Sequence, residues 1–525
     1  MSANGDTEKK SVAARLVDMA RERYLLGVSD DGEPFGADRS RPHLAMLLRG
    51  GRAGLRADLA ARYFAETGTA AGGQALTDST LILEGLAATR PPERLHLRVA
   101  DQEGTIYVDT GRPGGQVIRI GQGHWDVTDT APVRFVRTKL TGEMPLPPPA
   151  GDVTRLWDFV NIAAADRPVL LAALVAALIQ CDVPHPVLAL FAEQGSAKST
   201  TTRMLVDLID PSPVPLRQAP RDADSWVTAA SGSWVVALDN VSTIPPWLSD
   251  SLCRAATGEG SVKRALYTDT DLAVLKFRRC VIVNGIDVGA VRPDLAERLA
   301  TVELRRIDRR HRRAEAALRL DWQQALPGIL GGLLDLAADV HQRLETISVD
   351  ESPRMADYGR TLAAVDDALG TNGLSRYLWR ADQLSEDSLS ADPFIEQLRL
   401  NTRSPIVGKS GGDLLSMATP VDYHRRRRPK EWPRNGRDVT AILRRHAPAL
   451  RSLGWDIDDD GARNHRNVLL WTICPPQQDS PPQRASQSSP PSLLQRRPPG
   501  SDATGPASAS FSSDAIDETM SAEAS

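Results

Sequence analysis

Cysteine is scarce in this chain, with four in 525 residues. Cys181, Cys253, Cys280 and Cys474 are scattered, with no CxxC pair and no histidine pair at ligand spacing. That pattern excludes a zinc-finger-like site and a secreted disulfide scaffold, and fits a reducing cytosol. An excess of one charge is missing too: 63 Lys and Arg against 67 Asp and Glu leave a net charge of -4. The molecule as a whole is therefore not a basic protein that coats nucleic acid, and any such footprint must be local. No apolar run is long enough for a bilayer. The longest, Pro168 to Gln180, falls short of the roughly 20 residues a spanning helix needs. The opening MSANGDTEKK lacks the apolar segment of a secretory signal, and there is no internal repeat. These absences lead to the expectation of a soluble, cytoplasmic protein without membrane contact.

A composition of 41% hydrophobic and 25% charged residues is that of a globular protein, and the length calls for roughly two to four domains. Residues 1–10 are polar and expected to be disordered. The region 11–150 reads as helices (LVDMARERYLL, LRADLAARYF, LILEGLAA) followed by short alternating runs from Arg94 onward, an antiparallel meander. MPLPPPAGD then forms a stiff linker, with a domain boundary at Pro145 to Asp152. Trp157 to Gln180 is an apolar helical stretch. Across 155–310, strand-like runs alternate with helical segments, which predicts a three-layer α/β domain on a largely parallel sheet. A Leu- and Ala-rich helical region spans 320–385, and a small basic module spans 392–474. The Ser-, Pro- and Gln-rich tail 475–525 has too few large apolar residues to offset chain entropy and is expected to be disordered.

The segment PVLALFAEQGSAKSTTTRMLVDLID carries the strongest signal. A buried-strand pattern, a loop and an amphipathic helix start follow one another with the spacing of a Walker A loop, in which backbone N–H groups and a helix N-terminus surround phosphates. Glu193, Gln194, Gly195, Ser196, Ala197, Lys198, Ser199 and Thr200 would line that cradle for ATP. Lys198 would reach the β- and γ-phosphates, and Ser199, or Thr200 if the register shifts, would hold Mg²⁺. Ala192 and Ala197 stand where the pattern prefers glycine. An alanine in a left-handed conformation costs about 1–2 kcal/mol, which triphosphate binding can offset.

Further along, SWVVALDN is an apolar strand ending in Asp239, placed like a carboxylate that binds Mg²⁺. Asn240 follows where many ATPases carry a glutamate. It can orient water but cannot take its proton. RRCVIVNGID is another apolar strand, and its Asn284 is placed to sense a γ-phosphate. RPDLAERLATVEL supplies Arg292 and Arg298, candidates for an arginine finger on a neighbouring subunit's nucleotide. For each of these residues a strand-end turn or a solvated helix face is the plain alternative.

The order of these segments, 192–200, 235–240 and then KRALYTDTDLAVLKFRR leading into the Asn284 strand, resembles superfamily 3 helicases. More narrowly it is similar to the ATPase half of phage, plasmid and poxvirus-type primase–helicases of the kind found in actinobacterial mobile elements. The resemblance is at motif level over about 185–305. It implies an AAA+-like P-loop core, a homo-hexameric ring with ATP between subunits, and a hairpin before the third motif that grips single-stranded DNA. Lys263 and Arg264 would then contact the DNA backbone, with 268–271 near the hairpin turn. No primase acid set is evident in the first 150 residues, so a separate primase is an expected partner.

The basic module opens with the cationic run 425–430. A helix follows Gly436, with apolar residues at Val439, Ile442, Leu443, Leu450 and Leu453 and an interruption or bend near Pro448. Two strands joined by a polar loop come after Gly454. This resembles the ending of a winged helix. Arg425, Arg426, Arg427, Arg428, Arg444 and Arg445 are its candidate contacts to DNA phosphates, duplex DNA included. A basic linker beside a protein-interaction domain is the alternative. The expected function is an ATP-dependent DNA helicase or translocase in replication of a phage or integrated element. The alternative is a nucleotide-gated loader or regulator with little turnover.

Overall fold

The computed structural model describes residues 10–49, 54–192, 195–258, 260–264, 272–276, 278–285, 291–350, 352–420, 429, 431–459, 461, 463 and 467–476; for 260–264 and 272–276 it describes the backbone alone. The expected disordered segments, 1–10 save Lys10 and 475–525 save its first two residues, lie outside the described residues.

Ser11 opens α1 (Val12–Arg23): its side chain accepts the Ala14 N–H, and Arg21 and Arg23 sit in the last turn, where the helix dipole favours cations. The expected helix continued through YLL, but Tyr24 begins a strand. A short apolar run has no readable period, so its conformation is set by what it pairs with. Here β1 (Tyr24–Ser29) pairs antiparallel with β2 (Pro34–Asp38), and β2 with β3 (Leu44–Leu47). Helices α2 (Leu55–Thr67) and α3 (Gly73–Ala88) follow. With α1 they bury Leu16, Tyr24, Leu55, Leu59, Tyr63 and Leu83 in one cluster.

The alternating runs after Arg94 do not all join one meander. The short strands β4 (Pro92–Glu93) and β5 (Leu95–His96) belong to the first sheet. An antiparallel meander follows: β6 (Val99–Gln102), β7 (Thr105–Asp109), β8 (Val117–Gly121) and β9 (His124–Thr128). The last run, β10 (Arg134–Val136), returns to the first sheet, whose order is β4-β1-β2-β3-β10-β5, and lies parallel to both its neighbours. Parallel pairing needs a long excursion between strands, and the meander is that excursion between β5 and β10.

The centre of the chain runs α4 (Arg167–Ile179), β11 (Val187–Phe191), α5 (Lys198–Ile209), α6 (Ala223–Ser231), β12 (Val235–Leu238), α7 (Pro246–Thr257), β13 (Gly260–Arg264), β14 (Leu272–Lys276), β15 (Cys280–Asn284), α8 (Pro293–Ala296) and β16 (Leu299–Glu303). Four of these strands form a sheet in the order β12-β15-β11-β16, every pairing parallel. Because side chains alternate along a strand, the sheet divides its residues between two cores. Leu188, Leu190, Ala237 and Ile282 face a cluster that includes α4 and α5. Val187, Ala189, Val236 and Val283 face one built with α6, α7 and α8. The result is the expected three-layer α/β arrangement.

The first of these clusters extends beyond the sheet. It takes in Val99, Ile106, Val108, Ile118 and Ile120 of the meander, and Trp322, Ile329, Leu333 and Leu334 of α9 (Glu315–Arg343). Trp125 Nε1 also donates to Asp335 at 2.7 Å. The boundary expected at Pro145 to Asp152 is therefore no break in the core. At that point a Cβ on Gly332 would lie 2.2 Å from the Val153 nitrogen, so the chain after the proline run touches α9 directly.

Helices α10 (Ala356–Leu369), α11 (Gly373–Ser390) and α12 (Pro393–Asn401) lead to the basic module, which adds β17 (Ile406–Ser410), α13 (Gly411–Ala418), α14 (Gly436–Ser452), β18 (Asp456–Asp458) and β19 (Leu470–Cys474). Its sheet is antiparallel in the order β17-β19-β18. Strand β17 was not expected: it lies at the sheet edge, and none of its side chains is fully buried, so no apolar alternation marks it. Helix α14 runs through Pro448 without the expected interruption. Pro448 and Arg444 are both exposed, so the carbonyl left unpaired by the missing N–H can meet water. Among the described residues no helix is long and apolar enough to cross a membrane.

Candidate functional site

Parallel pairing brings the carboxyl ends of β11, β12 and β15 to one edge of the sheet. In α/β proteins the ligand crevice lies beyond such an edge. The turn after β11 passes through Gly195, at φ 84°, and Ala197, at φ 60° and ψ 35°, directly into Lys198, the first residue of α5. Ala197 therefore does occupy the left-handed conformation that made its identity a departure from pattern. No side chain caps α5, and the first turn of a helix carries N–H groups without an intrahelical partner, the kind that receive an anion. Lys198 Nζ donates to the Ala192 carbonyl at 2.8 Å, which arches the lysine back across the loop. Glu193 and Gln194 lie outside the described residues.

Ser199 Oγ donates to Asp239 Oδ1 at 2.7 Å, so Ser199 and not Thr200 is the hydroxyl that reaches the carboxylate. Asn284 Nδ2 donates to the same Asp239 oxygen at 2.8 Å and to Thr202 Oγ1 at 2.8 Å. Asn284 Oδ1 accepts the Asn240 backbone N–H at 2.8 Å. The ends of β12, β15 and α5 are thus joined through one buried amide, which is 1% exposed. That amide is committed to protein partners on both sides, so Asn284 fixes the Asp239 carboxylate in place. Asn240 takes a left-handed φ of 56°, which asparagine tolerates better than most residues, and its side chain is exposed. A hydroxyl and a carboxylate side by side, beside a lysine and a helix N-terminus, are residue types from which magnesium and polyphosphate sites are built.

A cavity of about 570 Å³ opens beside Thr200 between α5 and α9, lined in part by Arg203, Met204, Asp207, Leu318 and Trp322. Its volume is within the range of small-ligand sites. Burial raises the Asp207 carboxyl above its ordinary value, with Trp322, Arg203 and Arg319 opposing the rise.

The two candidate finger arginines are both engaged within the chain. Arg292, a third exposed, contacts Asp250 at 2.8 Å. Arg298 has a side chain only 12% exposed and pairs with Asp294 four residues earlier, from the turn that follows α8. Of the two, Arg292 is the one oriented outward. Lys263 and Arg264 lie on β13, which pairs with β14 as a hairpin; their side chains and residues 268–271 are outside the described residues, as are Arg425, Arg426, Arg427 and Arg428. Arg444 and Arg445 are exposed on α14, and with Arg437 they share the face opposite the buried Val439, Leu443 and Leu450. Arg444 contacts Asp459 at 3.0 Å.

One cationic group at the loop was not anticipated. Residues 305–313, RRIDRRHRR, follow β16, and the Arg312 guanidinium comes to rest against Gly195. The density of arginine was visible in the sequence, but a charge run reads first as a solvated face.

A mixed α/β protein with a phosphate-loop turn at the carboxyl edge of a parallel sheet is the class these features define. Residues 153–387 match the model of a family described as actinomycete integrative conjugative element replication protein, and residues 408–487 match that of the AICE RepA C-terminal domain. The expected kinship with actinobacterial mobile-element replication proteins meets these two matches. No curated protein matches the chain. Similar solved structures include the apo A form of the NrS-1 C-terminal region, 12% identical, covering 89% of this chain and 100% of that one at a TM-score of 0.38. Another is described as SCCmec type IV Cch - active helicase, 12% identical, with 86% and 93% covered at a TM-score of 0.41.

Proposed function

We propose that the chain is a magnesium-dependent ATPase of the superfamily 3 helicase type, which moves along DNA during replication of an integrated element or phage. The observation that carries this reading is the Ser199–Asp239–Asn284 network set against the uncapped start of α5 and Lys198. In this reading Lys198 and the loop N–H groups bind the phosphates of ATP, and Ser199 and Asp239 hold Mg²⁺. Asn284 keeps the carboxylate aimed at the metal. Arg292 of a neighbouring subunit completes the site in a homo-hexameric ring, and the β13–β14 hairpin engages single-stranded DNA. The C-terminal module, with three helices and a β17-β19-β18 sheet, acts as a winged helix that lays the arginine face of α14 on duplex phosphates. A separate primase supplies primers.

The test is phosphate release by the purified chain with and without single-stranded DNA. DNA-stimulated turnover that vanishes in Lys198→Ala supports the motor, and images with and without ATP show whether a ring assembles. A second reading, a nucleotide-gated loader or regulator, is favoured by Asn240, because an amide next to Asp239 cannot take a proton from water. Tight ATP binding without DNA-stimulated turnover would select it.

A further inference from the structure

We propose that Arg312 is a same-chain ligand of the nucleotide's terminal phosphates, a proposal that rests on reading the Gly195–Ser199 turn as a triphosphate site. The path of the chain puts it there. At the end of β16 the Leu304 N–H donates to the Phe191 carbonyl at 2.9 Å, so the chain leaves the sheet beside the root of the phosphate loop. Asp308 then accepts the Arg310 N–H at 3.2 Å and closes a short turn over Arg309–His311. Arg312 leaves that turn in extended conformation, at φ -73° and ψ 126°. A Cβ built on Gly195 would stand 3.1 Å from Arg312 Nη2, so the guanidinium lies against the loop backbone itself.

Its neighbours are otherwise occupied. Arg313 pairs with Asp321, and Glu315 at the start of α9 faces Arg203 of α5 at 3.6 Å, which holds the segment over the phosphate-loop helix. Arg312 is exposed and has no hydrogen bond or ion pair among the described residues. Lys198 lies across the loop to Ala192, and Asn284 is committed to Asp239, Thr202 and Asn240. An uncommitted guanidinium at the rim of an anion cradle presents planar paired donors to phosphate oxygens, and such charge-assisted contacts are among the stronger hydrogen bonds. Unlike a finger from the next subunit, it would act in a single chain.

The experiment is titration of the full chain with Mg²⁺ and either a non-hydrolysable ATP analogue or ADP, at a protein concentration below assembly. Wild type is compared with Arg312→Ala, Arg312→Lys, Arg310→Ala and Lys198→Ala. We expect Arg312→Ala to weaken the triphosphate analogue by about tenfold to a hundredfold, as loss of one charge-assisted contact implies, and ADP by less. Arg312→Lys should recover part of the loss, and Arg310→Ala should match wild type. Arg312→Ala binding like wild type while Lys198→Ala loses both ligands overturns the proposal and leaves the loop reading intact. Equal losses in Arg310→Ala and Arg312→Ala overturn it as well, since they mark a diffuse field. Wild-type protein that binds neither ligand overturns the loop reading and this proposal with it.

Discussion

Arg98 is the residue whose removal tests the packing behind the site most directly. It is fully buried, and its Nε donates to Asp210 Oδ1 at 2.8 Å. Nη1 donates to the Asp109 carbonyl at 2.8 Å, and Nη2 to the carbonyls of Gly142 at 3.1 Å and Pro211 at 3.4 Å. Asp210 caps the far end of α5, and its second oxygen accepts the N–H groups of Trp234 and Val235 at 2.8 and 2.9 Å, at the start of β12. One guanidinium therefore ties the meander to the phosphate-loop helix and, through Asp210, to the strand that carries Asp239. Arg98→Met leaves a buried carboxylate without its cation and takes a donor from three carbonyls, of which that of Pro211 keeps the Gly142 N–H. Breaking a buried pair from one side costs about 3–5 kcal/mol. The two backbone N–H groups on Asp210 soften the loss, which places the expected value near the lower end, about 3 kcal/mol. Urea unfolding followed by tryptophan fluorescence measures it, with Asp210→Asn and the double variant closing a cycle. The double variant should cost less than the sum of the singles by about 2 kcal/mol, because each single strands a partner. The N-terminus of α5 lies about 18 Å from Asp210 along the helix, so nucleotide affinity should change less than stability. A cost under about 1 kcal/mol for Arg98→Met, or strict additivity, would refute the argument.

Ala197→Gly relieves a left-handed alanine at the cost of a more flexible unfolded chain, so we expect stability to rise by up to about 1 kcal/mol with nucleotide binding retained; a clear loss in the same unfolding assay would show that φ 60° is no burden there. Burial pulls His96 and His185 from the ordinary 6.5 down to about 4. The unfolded chain then binds more protons between those values, and stability should fall as pH drops from 6.5 toward 4, by about 1.4 kcal/mol per pH unit for each histidine. His185→Gln should flatten the dependence of the urea midpoint on pH, and an unchanged slope would count against it. Burial pushes the Cys181 and Cys253 thiols up to about 12 and Cys280 well above its ordinary value, whereas Cys474 is half-buried. A chromogenic disulfide reagent at neutral pH should react quickly with one thiol per folded chain, and rapid reaction of two or more would contradict that packing.

Local pattern made the strand–loop–helix at 187–209 readable, because strand, turn and helix start are contiguous and each has its own period. Asp239 and Asn284 were readable as polar residues that end apolar strands. Their common hydrogen-bond network was not, since it depends on β12 and β15 lying parallel in register, Leu238 opposite Val283, a relation no local window contains. The same limit applies to β10, whose alternation is that of a strand but whose partners β3 and β5 are set by the excursion through the meander. Arg312 was hidden for another reason: it sits in a run dense in arginine, and only the approach of its guanidinium to Gly195 singles it out.

The proline-rich stretch before the central sheet was expected to be a spacer, yet the Asp152 N–H donates to the Gly328 carbonyl at 3.0 Å, and the glycines of α9 let the two backbones touch. Helix α9 starts beside the phosphate-loop helix, at the Arg203–Glu315 pair, and runs for 29 residues, about 43 Å. It is gripped midway by this seam and further along by Trp125. A rod fastened in that manner works as a lever. A displacement at the phosphate-loop end of that helix would be passed to the meander, which makes the amino-terminal region mechanically continuous with the central sheet.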